Sequence, residues 1–89
     1  MPRVPKQLDT DTLSVIAQIG TLIKLHRINK RMTQQELAER AKLTTDQIAR
    51  YEAGTVDPPL SSIIRIARAM GYSKVRQLFE HEAIEVYWV

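Results

Sequence analysis

Two kinds of side-chain pattern in this chain could do chemistry. The first is the set of titratable groups a catalyst needs, and it is nearly empty. His26 and His81 stand alone, no pair of acids falls at a working spacing, and cysteine is absent. No glycine-rich loop is built to cradle a phosphate, and no His, Cys, Asp or Glu cluster has the spacing of metal ligands. An enzyme is therefore not expected, nor a cofactor, nor a metal. His26 falls near the edge of an apolar helical face and reads as a packing residue. The second pattern is one of hydrogen bonding. Thr33-Gln34-Gln35-Glu36 and Thr44-Thr45-Asp46-Gln47 are both capping boxes. In each, the threonine hydroxyl accepts the free amide three residues on, and the Glu or Gln there reaches back to the threonine amide.

Two helix starts so close together dictate the elements around them. The helix behind Thr33 is short, with Leu37, Ala38 and Ala41 facing inward, and must end near Lys42-Leu43. The helix behind Thr44 turns Ile48, Ala49 and Tyr51 inward and closes at Ala53-Gly54, with Gly54 suited to a left-handed C-cap. Two helices across a turn of three or four residues form an αα-corner. Upstream, Asp9, Thr10 and Asp11 offer N-caps to a long helix from Leu13 to about Lys30. At about 100° per residue, Leu13, Ile16, Ile19, Gly20, Ile23 and Arg27 share one side of it, and Val15, Leu22 and Leu25 share the opposite side.

Downstream, Thr55 to Pro59 is a loop, and Asp57 or the prolines open a mostly buried helix carrying Leu60, Ile63, Ile64, Ile66, Ala67 and Met70. Gly71 stops it, and Ser73 is expected to cap a last short helix with Val75, Leu78 and Phe79. The class is all-α: a compact bundle of about five helices over residues 9–80, after a flexible arm of about residues 1–8. The tail, residues 81–89, is too apolar for a solvated terminus. Ile84, Val86 and Trp88 alternate with Glu85 and Tyr87, which suits a short strand with one buried face. Continuation of the last helix, or folding back over Val15, Leu22 and Leu25, are the alternatives.

Composition sets wider bounds. At 89 residues and 44% hydrophobic there is room for one domain with an ordinary core. The net charge of +3, from 13 basic and 10 acidic residues, permits a polyanionic partner without demanding one. No apolar run of about 18 residues or signal-like N-terminal stretch is present, so a soluble cytoplasmic protein without membrane attachment is expected.

From Ile19 to Phe79 the chain resembles the lambda-repressor-like, Cro/XRE-type helix-turn-helix family. The match rests on Ile19-Gly20, Ile23 and Arg27, then Met32-Thr33-Gln34-Gln35-Glu36-Leu37-Ala38, then Thr44, Ile48 and Tyr51-Glu52-Ala53-Gly54. Leu60 and the run Ile63 to Gly71 complete it. Ala38 is the small residue that lets the two corner helices approach, and Ile48 is its packing partner. Two positions depart from the family. Lys42 stands where glycine is common, at a turn whose left-handed backbone costs another residue about 1 kcal/mol. Asp57 stands in a loop that is usually basic.

The resemblance implies a sequence-specific binder of double-stranded DNA, with the helix from about Thr44 in the major groove. Carried over, Thr44, Thr45, Asp46 and Arg50 are the base-contacting positions. Their chemistry fits: arginine reads guanine, threonine meets a thymine methyl, and aspartate accepts from cytosine. Gln34, Lys42 and Thr55, with the backbone after Gly54, are the implied phosphate contacts, Gln34 because a helix N-terminus suits an anion. Arg27 and Glu52 are implied to pair, which meets the need of a guanidinium on an otherwise apolar helix side. A homodimeric repressor on a palindromic operator is the expected function, since one such motif reads few bases. Val15, Leu22, Leu25, Ile84, Val86 and Trp88 are its candidate interface. The alternative is an antitoxin, whose surplus apolar surface binds a toxin protein while the helix-turn-helix autoregulates the operon.

Overall fold

The computed structural model describes residues 8–83, so the strand considered for the tail lies outside the described residues, as does all of the arm but Leu8. Four α-helices follow in order: α1 Thr10–Asn29, α2 Gln34–Ala41, α3 Thr45–Ala53 and α4 Leu60–Ala69. The expected fifth helix is a single 3-10 turn, Val75–Phe79. Its start is closed by Gln77 Oε1, which accepts the Lys74 amide at 2.9 Å, whereas Ser73 only bonds the Gln77 side chain. No strand occurs among the described residues.

The helices begin where their caps allow. Asp9 Oδ1 accepts the Thr12 amide at 2.7 Å and opens α1. Both capping boxes form: Thr33 and Thr44 each accept from the amide three residues on, and Glu36 and Gln47 each accept from the cap amide in return. Helix α4 begins behind Pro59, whose carbonyl takes the Ser62 and Ile63 amides, and Asp57 plays no part in it. As the first residue of α4, Leu60 escapes the core and is 68% exposed.

All four α-helices end the same way. In each, the residue after the C-cap turn returns its amide to a carbonyl five positions back: Met32 to Arg27, Leu43 to Ala38, Thr55 to Arg50 and Tyr72 to Ala67. This is the Schellman closure, and it needs a left-handed residue at each corner. Glycine fills two of these corners, Gly54 (φ 71°) and Gly71 (φ 84°). Arg31 (φ 55°) and Lys42 (φ 58°) fill the other two against the preference of residues with a Cβ.

One core unites the chain. Ile23 of α1, Leu37, Ala38 and Ala41 of α2, Ile48 and Tyr51 of α3, Ile63, Ile66 and Ala67 of α4, and Leu78 of the 3-10 turn all belong to it. Helix α1 packs on both α3 and the 3-10 turn, so it is held from two directions. Ile16, Gly20, Leu22, Ile23 and His26 are accordingly buried, an arc about 160° wide rather than one narrow stripe. Leu22, expected on the outward side, has no exposed surface at all. Where α1 crosses α3, Gly20 is essential: a Cβ there would run into the Tyr51 carbonyl oxygen and come within 3.0 Å of that of Glu52.

Candidate nucleic-acid interface

Helix α3 is oriented by what it buries. Ile48 and Tyr51 are at most 2% exposed, and the Tyr51 hydroxyl bonds Ser62 Oγ of α4 at 3.2 Å. With that side locked, Thr44, Thr45, Asp46 and Arg50 are all exposed at the opposite side and the N-terminal end. Thr44 is held by its cap: the hydroxyl accepts from the Gln47 amide at 3.0 Å, and its own amide donates to Gln47 Oε1 at 2.8 Å. Thr45 is free of such ties. Arg50 Nε lies 2.9 Å from Asp46 Oδ2, one helical turn apart, with both side chains largely in solvent.

Behind this surface the structure brings Arg27 and Glu52 together. Arg27 Nε donates to Glu52 Oε2 at 2.7 Å and Nη2 to Oε1 at 3.1 Å, a two-pronged pair with 13% and 4% of the side chains exposed. Arg27 Nη1 also donates to the Met32 carbonyl at 2.8 Å, beyond the end of α1. Gln34 joins the group, its Nε2 donating to Glu52 Oε1 at 3.1 Å. One carboxylate thus ties α1, the start of α2 and the end of α3.

Two of the expected phosphate contacts are already engaged within the chain. Gln34 spends one amide proton on Glu52, which fixes its side chain. As the first residue of α2 its backbone amide has no acceptor within the helix, and the same holds for Gln35. Thr55 is more fully committed: its amide and its hydroxyl both donate to the Arg50 carbonyl, each at 3.2 Å. It would have to release Arg50 before donating to a phosphate. Lys42 is exposed at the left-handed turn.

The interface residues divide differently from expectation. Leu22 is sealed inside its own chain and has no area to offer a partner, because α1 buries a wider arc than its apolar stripe suggests. Val15 and Leu25 are half-buried, and Ile84, Val86 and Trp88 lie outside the described residues.

Sequence reading missed a polar cluster that joins α1 to the segments flanking the 3-10 turn. His26 is 6% exposed, with Nδ1 2.6 Å from the Tyr72 hydroxyl and Nε2 buried without a partner. His81 meets the His26 ring edge to face at 5.4 Å and contacts Asn29 through Nε2 at 3.1 Å. Burial, then the nearby His81, lowers the His26 pKa. The only sequence signal was a histidine at the edge of an apolar face; its partners lie 46 and 55 positions away.

A family model described as helix-turn-helix matches residues 23–76, well over half the chain. The chain belongs to the lambda-repressor-like, Cro/XRE-type helix-turn-helix family. This family is one of DNA-binding transcription regulators. Among its relatives is an uncharacterized HTH-type transcriptional regulator of Methanothermobacter thermautotrophicus, 42% identical over 59 residues that cover 66% of this chain and 86% of that one. A hypothetical transcription factor from Neisseria superposes with a TM-score of 0.70 at 26% identity, over 90% of each chain. The restriction-modification controller protein of Aeromonas hydrophila shares the fold, with a TM-score of 0.71 at 24% identity, over 74% of this chain and 98% of that one. No helix among the described residues is long and apolar enough to cross a membrane.

Proposed function

We propose that this helix-turn-helix protein binds double-stranded DNA sequence-specifically as a dimeric repressor on a palindromic operator, with the N-terminal half of α3 in the major groove. The observation that carries the reading is the division of α3. Ile48 and Tyr51 anchor one side in the core, while Thr44, Thr45, Asp46 and Arg50 stand exposed on the other. Those four offer donors, acceptors and methyl groups to base edges, and a rigid helix presents them in fixed order. The open amides of Gln34 and Gln35, at the positive end of α2, suit a phosphate and set the register. Lys42 adds a charge at the corner between the two helices. Two-fold pairing would place two α3 helices about 34 Å apart, one turn of the duplex.

Selection from random duplex DNA tests the proposal. The expected product is a palindrome with half-sites one helical turn apart; a pool that stays unenriched overturns it. Two variants then separate the roles of α3 and α2. Arg50→Ala should weaken the selected site by about 1–3 kcal/mol and relax the preference at one base pair. Gln34→Ala keeps the open backbone amide but removes the Nε2 proton that Glu52 leaves free. It should weaken binding to all sequences by similar factors, since phosphate contacts carry no base information. Equal loss of sequence preference from both variants would contradict the assignment.

A further inference from the structure

The geometry points to Asp46 as the residue that sets what Arg50 reads, by holding its guanidinium so that the two terminal amino groups face a guanine. The inference rests on the DNA-binding reading above. Arg50 Nε lies 2.9 Å from Asp46 Oδ2, and the side chains are 48% and 68% exposed. A carboxylate on Nε leaves Nη1 and Nη2 as a pair of donors. Two parallel donors match the O6 and N7 acceptors of guanine and meet a donor, the N6 amine, on adenine. Guanine is therefore the base the arrangement selects.

Asp46 also acts against the wrong partner. A long, exposed arginine in a groove can swing to the nearest phosphate as readily as to a base edge, and a phosphate contact carries no sequence information. A negative charge one turn away holds the guanidinium back and repels the backbone itself. Asp46 is in turn stable where it stands, because an acid in the first turn of a helix faces the positive end of the helix dipole. It takes no part in the Thr44–Gln47 capping box, so α3 does not depend on it. Asp46 is thus a positioning residue for Arg50, and the two act as one reading unit.

The test is a double-mutant cycle on the selected operator, scored at each base pair, with circular dichroism to check that the helices persist. Asp46→Ala and Asp46→Asn should each lower the preference for guanine at the Arg50 position about tenfold, while affinity for arbitrary duplex does not fall. In an Arg50→Ala background, Asp46→Ala should change the preference at that base pair no further. An Asp46→Ala protein that keeps the full guanine preference, or that loses preference only at a different base pair, overturns the inference while leaving the DNA-binding reading intact. A wild-type protein that enriches no sequence overturns the reading beneath it, and this assignment with it.

Discussion

At the scale of residues, the strongest polar contacts lie behind the exposed surface of α3. Glu52 collects donors from Arg27 and Gln34 while only 4% of its side chain is exposed. Glu52→Ala strands a half-buried guanidinium and frees the ends of three helices, so a loss of about 3 kcal/mol is expected in urea unfolding. Arg27→Lys should recover little of an Arg27→Ala loss, because an ammonium cannot match both carboxylate oxygens at once. His26 makes a second prediction, for pH. Its folded pKa is lowered, first by burial and then by His81, with Lys30 adding to the effect and the Leu78 and Glu80 carbonyls opposing it. The unfolded chain therefore takes up the proton first. Its contribution is fully present above the ordinary imidazole value of about 6.5 and is lost as pH falls from there toward the lowered folded value. The urea midpoint should drop over that window, and the drop should shrink in His26→Phe. An equal drop in the variant would place the proton elsewhere.

At the scale of elements, the corner between α2 and α3 is made by a residue that strains to make it. Lys42 takes φ 58° so that Leu43 can return its amide to the Ala38 carbonyl at 2.9 Å. Lys42→Gly should therefore stabilise the fold by about 0.5–1 kcal/mol, the relief of the Cβ clash less the added freedom of the unfolded chain. A rise of a few degrees in Tm is the readout. If Lys42 also touches DNA, the same variant should bind less tightly while melting higher, so that stability and affinity move in opposite directions. Gly20 shows the reverse economy, since its missing side chain is what lets α1 lie against the carbonyls of Tyr51 and Glu52. That crossing sets the distance over which Arg27 meets Glu52, and so the pose of α3.

At the scale of the whole molecule, the proposed dimer has lost one of its expected members and keeps five. Leu22 serves the core of its own chain, leaving half-buried Val15 and Leu25 with Ile84, Val86 and Trp88 as the candidate surface. The place to cut is also clear. His81 is bound to α1 through Asn29 and accepts the Ala83 amide at 3.0 Å, so a chain ending at Ala83 keeps those contacts. Such a protein should retain its helical signal, run as a monomer at micromolar concentration in analytical ultracentrifugation, and bind a single half-site weakly. A stable dimer that still grips the palindrome would remove the tail from the interface.

The sequence by itself determined what is local. Capping boxes, apolar spacing and turn-forming glycines act over a few residues, so the starts of α2 and α3, the stop at Gly54 and the all-helical class could be read from Thr33, Thr44 and their neighbours. The short reach of those signals is also why they failed elsewhere. Helical periodicity puts Leu22 nearly opposite Gly20, yet only the packing of α1 against two elements decides that both sides of it are covered. The last helix has a helical pattern but tightens to a 3-10 turn. Nothing local joins Arg27 to Glu52, twenty-five positions on, and only the resemblance to a family suggested it. The capture of Gln34 by Glu52 and the meeting of His26 with Tyr72 and His81 were decided by tertiary structure alone, whereas the commitment of Thr55 to the Arg50 carbonyl belongs to the local closure of α3. A side chain's free donors depend on which atoms come within about 3 Å of it, and in this fold those atoms belong largely to distant residues that the chain brings together only when it closes.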